Sequence, residues 1–265
     1  MYLKYWNLTE KPFENTPNPK FLYHSTEHDE AYIRLLYSIN SLKGAAMLSG
    51  EYGCGKTLLM YTLIKELPKE KYNIAYLNNP RWSANELLKE ILYQLKINSS
   101  SDNRIEMLHG LNDFLIDAFK KGMHTIIIVD EAQIISQEET FEELRMLLNF
   151  QFNDRFLLTL LLIGQPELRK IVKNIPQLDQ RIAVRYHLRK FAEKDTENYI
   201  NYRMKTAGCE REIFTGKAIQ LIHQYSGGTP RKINNICDLS LLLGFGQKIS
   251  QINYDHIESI INSEG

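Results

Sequence analysis

The sequence predicts an α/β protein with a wound, five-stranded parallel sheet and an all-helical C-terminal region. A glycine-rich loop at residues 50–57 lies between an apolar, strand-like run and a helical pattern. Residues 126–129 are four consecutive β-branched apolar residues, which is typical of a strand buried on both faces. Beyond about residue 191, glycine-separated helical patterns replace the strands. We therefore predict an αβα domain at residues 1–190, including an N-terminal wrap, and a helical lid at residues 191–265.

The first 27 residues are rich in aromatic residues and proline. Pro12, Pro17 and Pro19 argue against a continuous helix or a central strand. Two interpretations are open: core filling at the sheet edge, or a lid over a ligand held by the glycine loop, covering the base if that ligand is a nucleotide. A helix with an apolar face then follows over residues 28–40.

The loop reads G-x-x-x-x-G-K-T. Glycines let the backbone curl so that its N–H groups point inward, and the following helix N-terminus adds partial positive charge. Such a loop cradles a triphosphate, whereas the alternative is a glycine-rich turn before an ordinary helix. We expect ATP and Mg²⁺ as cofactors, with Lys56 on the β- and γ-phosphates and Thr57 on the metal ion. The predicted nucleotide-binding residues are Gly50, Glu51, Tyr52, Gly53, Cys54, Gly55, Lys56, Thr57 and Leu58.

A second strand is predicted at residues 72–77, since its residues alternate and favour β structure. Ser83 and Glu86 form a capping box at the start of the next helix. A polar linker at residues 98–103 precedes another helix over residues 104–121, which ends at Gly122.

Acidic and amide side chains follow two further predicted strands. Asp130 and Glu131 follow the β-branched run, at the strand end where ligands bind in open α/β sheets. Asp130 is placed to hold Mg²⁺ through water, and Glu131 is placed to orient the attacking water as general base. Gln165 follows the apolar strand at residues 156–163, beside the expected γ-phosphate. An acidic pair alone is a weak signal, and the preceding glycine loop makes it strong.

A last strand is predicted at residues 184–188, and only helices follow. Pro230 is predicted in the first turn of one of them, and Arg231 comes next. A cation is disfavoured there by the helix dipole, which points to an anionic partner for Arg231, although a solvated first-turn arginine is the alternative.

Charge balance, cysteine spacing and apolar runs indicate the general class of protein. Lys plus Arg equals Asp plus Glu at 32 each, so net charge does not indicate nucleic acid, but a local basic patch stays possible. The three cysteines are far apart, which fits a reducing cytoplasm. No membrane-length apolar run or signal-like N-terminus is present, so we expect a soluble cytoplasmic protein.

Together these residues resemble the AAA+ ATPases, and the resemblance spans essentially the whole chain. It implies that Gln165 is a sensor 1 residue and Arg231 a sensor 2 residue acting on nucleotide in cis. It also implies that Arg181, rather than Arg185, acts in trans on the neighbour's nucleotide within a ring, spiral or filament of this chain. Asn78 or Asn79 would be a switch partner for Glu131.

Within that superfamily the chain is similar to the ExeA/GspA-type ATPases. The motifs that carry this similarity include Trp6-Asn-Leu, Pro17-Asn-Pro-Lys-Phe21, Glu142-Glu-Leu-Arg145, Ile163-Gly-Gln-Pro-Glu-Leu168 and Gly228-Thr-Pro-Arg-Lys-Ile-Asn-Asn235. ExeA-type proteins continue into a transmembrane segment and a periplasmic region, and these 265 residues contain neither, so we expect either a fragment or a stand-alone relative. The same core is similar to transposition regulators of the TnsC, TniB and MuB kind.

Three hypotheses about function follow. The first is a DNA-associated ATPase that regulates transposition or recruits a transposase, which a stand-alone chain beginning at Met1 favours. The alternative is an assembly ATPase of a secretion complex. The third is a nucleotide-binding module that hardly hydrolyses, which the intact Glu131 disfavours.

If duplex DNA is a partner, the resemblance points to the loop at residues 80–83. Arg81 offers donors for phosphate and Trp82 a flat apolar face. The stretch from Asn98 to Arg104 is a second candidate. The alternative is that Trp82 packs on the helix beginning near Ser83 and Arg81 is solvated.

Overall fold

The computed structural model describes residues 2–98 and 102–264. The strands in this part of the chain are β1 (Ala45–Gly50), β2 (Tyr72–Leu77), β3 (His124–Val129), β4 (Gln151–Phe152), β5 (Arg155–Phe156), β6 (Leu158–Gly164) and β7 (Ile182–Leu188). Five of them form one parallel sheet in the order β2-β3-β6-β1-β7. The predicted five-stranded parallel sheet is confirmed.

An α-helix precedes the first strand of this sheet, and helices follow each strand. Those before the last strand are α1 (Thr26–Asn40), α2 (Lys56–Glu66), α3 (Ala84–Gln94), α4 (Arg104–Lys120), α5 (Glu138–Leu147), α6 (Glu167–Lys173) and α7 (Pro176–Asp179). The C-terminal helices are α8 (Glu193–Thr206), α9 (Gly216–Ser226), α10 (Pro230–Gln247) and α11 (Tyr254–Glu264). Among the helices described, none is both long and apolar enough to cross a membrane.

The strands of the sheet end in register at one edge. Val129 of β3 lies beside Leu77 and Leu162, and Ser49 of β1 lies beside Gly164 at the end of β6. Because all five strands run in the same direction, the segments that follow β1, β3 and β6 leave the sheet at this edge. The glycine loop, the acidic pair and Gln165 are those segments.

A short hairpin that the sequence analysis missed precedes β6. Asn153 and Asp154 both have positive φ, 48° and 61°, and they connect β4 to β5. Asn and Asp tolerate this conformation, and a two-residue turn with positive φ at both positions matches the twist of the flanking strands. The apolar run at residues 156–163 is therefore divided, and the sheet strand begins at Leu158 instead of Phe156.

The chain forms two compact units. One consists of Asp29–Glu51 and Thr62–Leu188 and contains the sheet. The other consists of residues 2–28, Tyr52–Tyr61 and the chain from Arg189 onward. The break between Leu188 and Arg189 lies close to the boundary expected at residue 190, but the N-terminal segment and Tyr52–Tyr61 belong to the unit of the C-terminal helices instead of the unit that contains the sheet.

Aromatic side chains explain that difference. Trp6, Phe13 and Phe21 are almost fully buried in the core of the C-terminal helices. The Trp6 indole N–H donates to the carbonyl oxygen of Leu241 at 2.8 Å, so its polar atom is satisfied. The N-terminal wrap thus fills a core, but this core is the one formed by α8 to α11 and not the sheet edge that the core-filling interpretation expected.

Candidate functional site

The glycine loop joins the end of β1 to the start of α2. Gly53 and Gly55 have φ values of +80° and +94°, a region that residues with a Cβ atom rarely adopt. Lys56 is the first residue of α2 and is buried, with 5% of its surface exposed. A curled loop that ends on a helix N-terminus presents backbone N–H groups to an anion. The backbone conformation therefore fits a bound phosphate chain.

Arg231 contacts the same loop. Its backbone N–H donates to the carbonyl oxygen of Gly53 at 3.2 Å, and its guanidinium lies 4.5 Å from the centre of the Tyr52 ring. The guanidinium also donates to the Tyr52 hydroxyl. A Cβ atom on Gly53 would come within 2.8 Å of the Arg231 Cβ atom, so only glycine permits this approach. The first turn of α10 thus lies directly against the loop.

Asp130 follows β3 and is 3% exposed. Its Oδ2 atom accepts a hydrogen bond from the Tyr76 hydroxyl at 2.7 Å, and its Oδ1 atom accepts one from the backbone N–H of Glu131 at 2.9 Å. These two donors fix the carboxylate plane. A rigid carboxylate is a suitable oxygen ligand for Mg²⁺, which usually binds one or two carboxylates together with substrate phosphates. Tyr76 was not foreseen, although its position near the end of β2 could have indicated it.

Glu131 is held by two glutamines. Its Oε2 atom accepts hydrogen bonds from Gln133 Nε2 at 2.5 Å and from Gln165 Nε2 at 3.3 Å. Gln133 Oε1 in turn accepts from the backbone N–H of Gln165 at 2.9 Å. A Cβ atom on Gly164 would lie 2.5 Å from Gln133 Oε1, so the glycine at the end of β6 admits this amide. The structure therefore joins the predicted base and the predicted sensor through Gln133, which the sequence analysis missed.

The backbone at Glu131 is unusual as well. Its φ is +53°, in the left-handed region that non-glycine residues avoid. Strained conformations of this kind persist only where the surroundings enforce them, and they are concentrated at functional sites. In this structure the amides beside Glu131 belong to the two glutamines, rather than to Asn78 or Asn79.

Comparison with known proteins now decides the family. The family model described as an AAA domain matches residues 39–172, which is more than half of the chain. This chain belongs to the AAA domain family.

The sequence of this AAA-domain protein is 38% identical over 260 residues to General secretion pathway protein A of Aeromonas hydrophila. The alignment covers 97% of this chain and 47% of that protein, so the chain spans about half the length of this relative. The similarity to an ExeA/GspA-type protein, predicted from the motifs, is confirmed.

Solved structures with the same fold include DNA-associated proteins. The Aeropyrum pernix ORC2 protein has a TM-score of 0.71 at 18% identity, covering 96% of this chain and 71% of that one. Drosophila ORC bound to DNA has a TM-score of 0.72 at 18% identity, covering 98% and 65%. The Thermotoga maritima RuvB Holliday junction branch migration motor has a TM-score of 0.62 at 15% identity, covering 92% and 70%. At these identities the likeness establishes the fold, an α/β AAA ATPase fold with C-terminal helices.

The two candidate trans-acting arginines of this AAA domain have different surroundings. Arg181 is half-buried, and its guanidinium donates to the carbonyl oxygen of Leu148 at 3.4 Å and to Asn149 Oδ1 at 3.2 Å. Arg185 is exposed and forms an ion pair with Asp179, with 2.7 Å between Nη1 and Oδ1. Asp179 thus pairs with Arg185, and the recorded contacts of Arg181 are to neutral oxygens.

Two of the residues suggested for a DNA track, Trp82 and Arg104, have structural contacts in this AAA domain. Trp82 packs against the sheet core, and its carbonyl oxygen accepts from the Thr140 hydroxyl at 3.1 Å. Arg104 donates through Nε and Nη2 to one oxygen of Glu143, at 3.0 and 2.7 Å, and Glu143 is 4% exposed. Arg81 is exposed, and residues 99–101 of the second suggested stretch lie outside the described residues. The packing of Trp82 favours the alternative interpretation, and the Arg104 guanidinium is paired with a buried carboxylate.

Proposed function

We propose that this AAA domain binds ATP with Mg²⁺ and hydrolyses it to ADP and phosphate. In the same proposal the protein works as an oligomeric switch. The observation that carries the proposal is the hydrogen-bonded set of Asp130, Glu131 and Gln165. This set lies at the edge of the sheet where β1 ends, and the chain continues from β1 into the glycine loop.

Each residue has a distinct task in the proposed reaction. Lys56 binds the β- and γ-phosphates, and Arg231 interacts with the γ-phosphate end of the same nucleotide. Thr57 Oγ1 and the Asp130 carboxylate would hold Mg²⁺, which would neutralise charge on the phosphate oxygens. Glu131 takes a proton from the attacking water, while Gln165 orients that water.

The hydrogen bonds around Glu131 support its task. Both glutamine amides contact the same carboxylate oxygen, Oε2, which leaves Oε1 to accept from water. The two amides also hold the carboxylate in one orientation, which a general base needs because proton transfer requires close hydrogen-bond geometry.

Removing the Lys56 ammonium group is the direct test of nucleotide binding. We expect Lys56→Ala to weaken ATP affinity by roughly 10- to 100-fold, since a hydrogen bond to a charged group contributes about 1.5–3 kcal/mol. The measurement is calorimetric titration with ATP and Mg²⁺. Lys65→Ala, in the last turn of the same helix and exposed, is the matched control and should bind normally. Equal affinity in the two variants would contradict the proposed site.

For the biological role, we propose that the chain is the ATPase part of a secretion-complex protein. The identity to General secretion pathway protein A favours this alternative over the transposition hypothesis. Self-association and a cytoplasmic location belong to the same proposal. No comparable sequence identity supports the recruitment of a transposase.

One observation favours DNA association as a second candidate. A cavity of about 560 Å³ near β1 and β7 is lined by four cationic side chains and one carboxylate: Arg169, Lys170, Lys173, Arg185 and Asp179. Asp179 is paired with Arg185, and the described residues supply no ion pair for the three cations of α6. This is a local basic patch of the kind that a zero net charge leaves possible.

Salt dependence of duplex binding tests this second candidate. The double variant Lys170→Ala, Lys173→Ala should weaken binding equally across sequences and reduce the slope of log affinity against log salt by about 0.9 per lost phosphate contact. The matched control is Lys120→Ala with Lys121→Ala, two exposed lysines at the end of α4. An unchanged slope would exclude the cavity as a DNA site. If the unmodified protein does not bind duplex DNA in the presence of ATP, DNA association is refuted and the secretion-type role remains.

A further inference from the structure

His28 lies beneath the glycine loop. It belongs to α1 and is 3% exposed, and its Nε2 atom is 3.0 Å from the carbonyl oxygen of Cys54. Its Nδ1 atom is 2.8 Å from Ser25 Oγ, and its ring is 5.4 Å from that of Phe191. The sequence analysis assigned no role to this histidine.

The partners of the ring determine which nitrogen carries the proton. A carbonyl oxygen can only accept, so Nε2 carries the hydrogen that is donated to Cys54. In the neutral ring Nδ1 then accepts from the Ser25 hydroxyl, and Ser25 Oγ accepts in turn from the backbone N–H of His28 at 3.3 Å. The imidazole is therefore held at both nitrogens and cannot rotate without losing a buried hydrogen bond.

The Cys54 carbonyl group is one half of a planar peptide unit. The other half is the N–H group of Gly55, and in a trans peptide these two groups point in opposite directions. Donation from His28 draws the carbonyl group towards α1, so the Gly55 N–H is directed away from His28. A Cβ atom on Gly55 would lie 3.1 Å from Nε2, so the residue after the bonded carbonyl must be small.

We propose that His28 is a positioning residue for the phosphate loop, because it fixes the peptide plane between Cys54 and Gly55 and thereby aims the Gly55 N–H at a bound phosphate. This inference rests on the proposed nucleotide binding. His28 acts through the backbone and does not itself touch the nucleotide. A loop organised before binding loses less conformational entropy when the nucleotide arrives, so its phosphate contacts yield more net affinity.

Two substitutions of His28 separate its hydrogen bond from its volume. In His28→Gln the side-chain amide nitrogen reaches the position of Nε2 and can donate to Cys54, whereas in His28→Asn the shorter amide reaches only the position of Nδ1. We expect ATP and ADP affinities of His28→Gln within about threefold of the unmodified protein. We expect those of His28→Asn to be about tenfold weaker, since one hydrogen bond to a charged group is misdirected.

The experiment is calorimetric titration of ATP and ADP into the three proteins, with unfolding midpoints measured without nucleotide. The backbone amide signal of Gly55 in ¹⁵N-labelled protein adds a readout that a general loss of stability would not move. It should shift in His28→Asn and stay near its original position in His28→Gln. Ser25→Ala removes the partner of Nδ1 and the acceptor of the His28 backbone N–H but keeps the donor to Cys54, so it should have a smaller effect than His28→Asn.

The outcomes distinguish this inference from the proposed function. Equal ATP affinities in His28→Gln and His28→Asn, with the unmodified protein binding normally, would overturn the role of His28 alone. Failure of the unmodified protein to bind ATP would overturn the proposed function, and the inference with it. A weaker affinity in His28→Asn that follows its unfolding midpoint, with an unmoved Gly55 signal, would also overturn the positioning role.

Discussion

Replacing Glu131 with glutamine is expected to lower ATP turnover by about 10²- to 10⁴-fold while ATP stays bound, because only the general base is lost. The amide has the same shape as the carboxylate and can still accept from Gln133 and Gln165 through its oxygen. The local network should therefore persist, and the variant should accumulate in its ATP-bound state.

The measurement combines phosphate release with ATP titration on the same preparation. Glu138→Gln is the matched control, since Glu138 begins α5 on the exposed surface and should leave both quantities unchanged. Loss of ATP affinity along with turnover in Glu131→Gln would indicate a binding role for this side chain. Undiminished hydrolysis would mean that another group accepts the proton.

Arg181→Ala is expected to abolish the dependence of specific activity on protein concentration, with a loss on the order of 10³-fold or more at high concentration. An arginine supplied by a neighbouring copy stabilises the charge of the transition state only when the copies associate. Arg181 suits this task because its recorded contacts, Leu148 O and Asn149 Oδ1, are neutral and at 3.2–3.4 Å. Its charge is not neutralised by them, and such contacts are readily exchanged for a phosphate.

Mixing two inactive proteins gives the sharpest test of action in trans. Arg181→Ala keeps an intact nucleotide site, and Lys56→Ala keeps its arginine, so mixed oligomers should recover part of the activity that neither protein has alone. Arg185→Ala is the matched control, since Arg185 is paired with Asp179 and should matter less for turnover. Normal activity in Arg181→Ala, or activity independent of concentration in the unmodified protein, would refute the assignment.

The elements that carry the proposed chemistry were predictable because they depend on local sequence. A glycine loop between a strand and a helix, and apolar strands that end in Asp130-Glu131 and before Gln165, are patterns of adjacent residues. Parallel strands then bring their ends to one edge whatever the details of packing. The five-stranded parallel sheet followed from these patterns, and the structure confirms it.

Contacts between residues distant in sequence could be decided only by the tertiary structure. The sequence by itself determined the loop, the sheet and the positions of the acidic and amide residues along the chain. It did not determine that Gln133 joins Glu131 to Gln165, that Arg104 pairs with the buried Glu143, or that His28 holds the loop from α1. Each of these is a directional hydrogen bond, whose partner depends on how helices and loops pack in three dimensions. The N-terminal aromatic residues were equally ambiguous, because apolar surface can be buried against any complementary core, and the folded chain buries Trp6 among the C-terminal helices.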